Sequence, residues 1–172
     1  MHAHFQMFAR YNAWANARLY AAAGALSDAQ YRADRGAFFK SVHGTLNHLL
    51  TTDRIWVQRL TGNAASGTVP DRLDAILFED FAGLQAARVA EDARLTAYID
   101  TLDAAALAGM ISYTRVSAPE PVTQALGAAL AHLFNHQTHH RGQAHALLTG
   151  LVGTAPELDL LFYQRLAEAG RA

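Results

Sequence analysis

Histidines fill one short run of this chain. His132, His136, His139 and His140 fall within Ala131-His132-Leu133-Phe134-Asn135-His136-Gln137-Thr138-His139-His140-Arg141-Gly142-Gln143, four of the nine histidines in all. His132, His136 and His140 repeat at i, i+4, i+8. On an α-helix a step of four residues brings side chains back to one face about one turn along. Two imidazoles at that spacing can close on one metal ion, the logic of His-x-x-x-His in helical zinc sites. Cysteine is absent, so thiolate is unavailable as ligand or nucleophile and the donors must be imidazole and carboxylate.

Composition narrows the rest. The chain has 172 residues, 51% hydrophobic and 17% charged, with a net charge of −1. That suffices for a single domain over residues 1–172 and excludes a disordered chain. No basic stripe suggests nucleic-acid binding, and no apolar run approaches the ~20 residues of a membrane span. The N-terminus shows no signal-peptide pattern. These features, with the lack of cysteine, fit a cytoplasmic protein that takes a small-molecule substrate rather than nucleic acid or membrane.

The elements that must carry the histidines follow from periodicity. Proline occurs only at positions 70, 119, 121 and 156, with stretches of good helix formers between. Four long helices are expected. The first spans about Phe5 to Gly24, and Ser27-Asp28 opens a short turn after it. The second spans about Ser41 to Leu60, with Ser41 as N-cap and Gly62 at the C-terminal cap. A Gly/Ala/Ser-rich loop at 62–70 precedes the third, about Phe78 to Leu102. Met110–Val116 alternates β-branched and aromatic residues and reads as extended. The fourth helix spans about Val122 to Leu148, ended by Gly150, and a terminal helix runs from Pro156 through Ala169. The fold class is all-α: a four-helix bundle with an additional C-terminal helix.

Projecting the fourth helix at roughly 100° per residue divides the cluster. Leu126, Leu130, Leu133, Ala144, Leu147 and Leu148 define an apolar arc. His140 falls inside it, His136 at its edge, and His132 and His139 on the flank. Gln137 also lies in the arc and needs a partner, an imidazole or a bound water. Two histidines make an incomplete site, since such sites use three or four protein ligands. His48, on the second helix, is the best third donor, although it lies off that helix's main arc beside Ile55 and Arg59. Asp53 falls mid-arc and needs pairing, with Arg141 as the expected partner. His2, His4, His43 and His145 read as surface or core residues, and Tyr11, Trp14 and Trp56 as core aromatics.

Three segments in order resemble the DinB family of helical-bundle proteins, the DinB/YfiT-like metalloenzymes. They are Tyr11-Asn12-Ala13-Trp14-Ala15-Asn16, then Gly44-Thr45-Leu46-Asn47-His48-Leu49-Leu50 with Asp53 and Trp56, then Asn135–Gln143 with its histidines. The resemblance implies a four-helix bundle, usually a homodimer, holding a divalent metal, zinc or nickel, through His48, His136 and His140. It implies no DNA binding. Three imidazoles leave a coordination position open, as in catalytic zinc. The expected activity is that of a metal-dependent hydrolase. A thiol-dependent transferase or isomerase and a non-catalytic, metal-stabilised stress or binding protein are the alternatives. Tyr113, Thr114 and Arg115 are candidates for the rim of the open position.

Overall fold

A computed structural model describes residues 1–62, 70–116 and 118–172. Most of the expected loop at 62–70 therefore lies outside the described residues. Four long helices form a closed ring: α1 (His2–Ala23), α3 (Val42–Thr61), α4 (Phe81–Thr101) and α6 (Leu126–Val152). Both α1 and α3 pack on α4 and on α6. Shorter elements decorate the ring: α2 (Asp28–Arg32), α5 (Ala104–Leu107), an antiparallel hairpin of β1 (Met110–Thr114) and β2 (Pro121–Ala125), and α7 (Leu160–Glu168). Among the described residues no helix is long and apolar enough to cross a membrane.

Local chemistry explains most boundaries. The Ser41 hydroxyl accepts from the Gly44 amide and opens α3, while Gly62 closes it at φ 65°, a left-handed conformation that glycine adopts without steric cost. Ser27 and Gln30 form a reciprocal capping box on α2.

Elsewhere the boundaries move. The expected fourth helix starts at Leu126 rather than Val122. Val122 and Thr123 pair with Tyr113 and Ser112 in the hairpin, and the Ser112 and Thr123 hydroxyls bond at 2.8 Å. That helix also continues through Gly150 to Val152. The left-handed stop is Gly153, at φ 76°.

Two other starts shift for the same kind of reason. The third long helix begins at Phe81, capped by Asp80, because Asn47 holds the preceding chain extended: its Oδ1 accepts the Leu77 and Phe78 amides at 2.9 and 3.0 Å. The terminal helix starts at Leu160 under an Asp159 cap. The Pro156 carbonyl instead accepts from His145 Nε2 at 3.1 Å.

The core has three layers. One apolar cluster contains Phe5, Trp56, Leu95, Ile99, Leu130 and Phe134. A second contains Leu19, Tyr20, Leu46, Leu49, Leu84 and Leu148. Between them in sequence, each ring helix contributes buried polar residues: Asn12 and Asn16 from α1, Asp53 from α3, Arg88 and Asp92 from α4, Gln137 and Arg141 from α6. Arg88 pairs with Asp53 at 2.8 Å and with Asp92 at 3.0 Å. Asn12 and Asn16 donate to Asp92 at 3.1 and 3.0 Å. Gln137 donates to Asp53 and to the Leu49 carbonyl.

The expected Asp53–Arg141 pair does not form. Arg141 donates to Asn12 Oδ1 and lies 5.1 Å from the centre of the Tyr11 ring. Arg88, from the neighbouring helix α4, takes its place and also pairs with Asp92 one turn along its own helix. Buried charges need compensation wherever geometry supplies it, and a wheel drawn for one helix cannot show a cation on another. Burial pushes the Asp53 carboxyl up to about 6 although Arg88 opposes the shift. Burial also tends to lower Arg88, but the Asp92 and Asp53 carboxylates outweigh it and leave the guanidinium above its ordinary value.

Candidate metal centre

At the level of the polar layer, α3 and α6 bring three imidazoles together. His48 Nε2 lies 3.3 Å from His136 Nε2 and 3.2 Å from His140 Nε2. Two nitrogens bound to one tetrahedral zinc at 2.0–2.1 Å would stand about 3.3 Å apart, so the spacing fits one shared ion. Among the described residues, His48, His136 and His140 form the group of potential ligands that could hold a metal.

Hydrogen bonding at the far side of two rings sets their tautomers. His48 Nδ1 lies 2.7 Å from the Leu73 carbonyl oxygen, which can only accept. Nδ1 therefore carries the proton, and in the neutral ring Nε2 presents a lone pair. His140 Nδ1 lies 2.8 Å from Gln143 Oε1, with the same consequence. Two lone pairs facing each other at 3.2 Å repel unless a cation lies between them. Imidazoles that turn N–H groups outward and lone pairs inward are the usual pattern around a bound divalent ion.

The rings are also held neutral. Burial lowers the His48 pKa to about 4. Burial and the other histidines lower His136 to about 3, and burial lowers His140. Metal binding requires this unprotonated form.

The site opens onto a cavity of about 580 Å³ lined by Phe38, Phe39, Leu73, Asp74, His139 and Gln143 besides the triad. Phe39 stacks on His48 with ring centres 3.8 Å apart. Gly44 makes that contact available: a Cβ there would lie 2.2 Å from the Phe39 carbonyl oxygen. Asp74 is the carboxylate on the wall. Its side-chain bond to Arg72 holds its pKa below the ordinary value, so it is ionised.

The flanking histidines take other places. His132 lies between Trp56 and His136, with ring centres 5.3 and 5.8 Å away. His139 accepts a hydrogen bond from Gln143 Nε2 at 3.2 Å. Gln137, expected beside an imidazole or a water, faces Asp53 instead. The expected rim residues lie outside the cavity lining. Tyr113 packs on Trp56 and Arg59, the Thr114 carbonyl accepts from Arg59, and Arg115 pairs with Glu120. The hairpin covers α3 beyond Trp56, one side of the triad, while the loops before α3 and before α4 cover the other.

Phe39, Leu73 and Asp74 had no signal in the spacing of ligands, because they act from loops, Leu73 through its backbone carbonyl. Gln143 did have one, lying three residues after His140 on the same helix.

The model of the DinB family matches residues 1–171. No curated protein and no solved structure matches the chain.

Proposed function

The chain belongs to the DinB family, and on that footing we propose that it holds one zinc or nickel ion through His48, His136 and His140 and acts as a hydrolase on a small molecule. One observation supports the reading above others: two inward lone pairs, fixed by the outward bonds of His48 and His140, converge with His136 at the floor of a cavity. Bound there, the ion would supply Lewis-acid activation of water or of a substrate oxygen.

The chain's own residues supply the rest. Phe38, Phe39 and Leu73 give the cavity apolar walls that can seat an apolar substrate portion. Asp74, ionised and on the wall, is the candidate proton acceptor. Gln143 and the Leu73 carbonyl orient His140 and His48. A homodimer in the cytoplasm completes the proposal.

Purified protein should carry about one ion per chain and cleave members of an ester and amide panel. His136→Ala should lose both properties. Full metal content in that variant would overturn the site. Native protein with full metal content and no turnover, including thiol transfer, would make it a metal-stabilised binding protein instead. A light-scattering mass near one 18.6 kDa chain would refute the dimer.

A further inference from the structure

The metal cavity has a neighbour across Gln143. A second depression, of about 430 Å³, shares Gln143 with it and runs on along α6, lined by Arg35, Gly36, Ala37, Ala146, Leu147 and Gly150. Ala37 precedes Phe38 of the first cavity, so one loop walls both. The floor of the depression is made of small residues: a Cβ added at Gly150 would meet nothing within 4 Å, and the same holds at Gly36. From residue 140 to residue 147 the helix rises about 10 Å.

Arg35 lines the depression. Its backbone amide bonds the Lys40 carbonyl at 2.8 Å, which fixes the turn that carries it. Its guanidinium has no ion pair or side-chain hydrogen bond among the described residues, and the adjacent Asp34 carboxylate is engaged with the Gly36 amide at 3.0 Å. By contrast Arg72, next to the cavity-lining Leu73, is already neutralised by Asp74 at 2.9 Å. The depression thus sets small and apolar residues beside the metal cavity, with an exposed, uncommitted, planar, bidentate cation at its edge.

We infer that the substrate is an elongated molecule whose metal-directed head sits among His48, His136 and His140 and whose far end carries a carboxylate that pairs with Arg35. A compact substrate would leave the groove and its cation unused. The inference rests on the proposed metal site, and the test separates the two.

The probes are acetohydroxamate, which can occupy only the metal position, sebacic acid monohydroxamate, and the methyl ester of the latter, titrated calorimetrically into metal-loaded protein. Acetohydroxamate should bind native protein, Arg35→Ala and Gly150→Phe alike. The long acid should bind native protein about fivefold tighter than its ester. That preference should vanish in Arg35→Ala. In Gly150→Phe both long probes should weaken, because the added ring enters open space and fills the groove.

Equal binding of acid and ester to native protein would overturn the inference while leaving the metal site intact. An acid preference that survives Arg35→Ala would also overturn it. Failure of acetohydroxamate to bind any form would remove the metal site itself and the inference with it.

Discussion

His48 Nε2 and His140 Nε2 stand 3.2 Å apart although 92 positions of sequence separate them. Each ring's other nitrogen is engaged by an acceptor, the Leu73 carbonyl for one and Gln143 Oε1 for the other. The pair is therefore two inward-facing lone pairs held by outward-facing bonds, an arrangement that a shared cation stabilises.

Metal retention follows directly. Replacing His48, His136 or His140 by alanine removes a donor, and each variant should lose the ion by elemental analysis after dialysis. Gln143→Leu keeps all three donors but frees the His140 ring. Its affinity should fall about 10- to 100-fold, read by competition with a chromogenic chelator. An unchanged affinity would show that Gln143 does not orient the site.

The buried layer gives a stability prediction. Arg88 neutralises Asp53 and Asp92 at 2.8 and 3.0 Å. Arg88→Met leaves two buried carboxylates without their cation and should destabilise the fold by about 3–5 kcal/mol, measured by urea unfolding. A loss near zero would mean that solvent already reaches the pair.

The pH dependence of the metal-free protein has a definite sign. Unfolded histidines take up protons near 6.5, whereas His48 does so only near 4 and His136 near 3 in the fold. The unfolded state binds more protons in between, so stability should be complete above pH 6.5 and fall as the pH drops toward 4. Asp53, raised from 3.8 to about 6, works the other way, since its protonated form is favoured in the fold over part of that window. With His140 also lowered, the imidazoles outnumber it and the melting temperature in chelator should fall with pH. The slope should flatten in His136→Phe.

Two glycines test the loop over the site and the surface beyond it. A Cβ at Gly44 would collide with the Phe39 carbonyl, 2.2 Å away. Gly44→Ala should cost about 1–3 kcal/mol and weaken metal binding by displacing Phe39 from His48. Gly142 lies in mid-helix with open space at its Cβ, so Gly142→Ala should add about 0.5–1 kcal/mol. Thermal melts of the two variants should move in opposite directions. A loss at Gly142 would point to a second copy packed on that face.

What could be read in the linear chain depended on short-range physics. The four-residue histidine step, the Ser41 cap and the Gly62 stop each involve atoms within a turn or two of helix, so composition and period sufficed for them and for the bundle. The inward placing of His140 and the flank position of His139 came from the same period.

His48 was beyond that reach. It lies off its helix's main apolar arc, so spacing left it a candidate third donor and the family resemblance selected it. Its place beside His136 and His140 depends on how α3 and α6 pack. The tertiary structure alone decided that Asp53 pairs with Arg88 and not Arg141, that Val122–Ala125 extends to pair with β1, and that Phe38, Phe39, Leu73 and Asp74 enclose the site. Those choices depend on which neighbouring helix or loop supplies the missing charge, hydrogen bond or apolar face, and a local pattern carries no information about its neighbour.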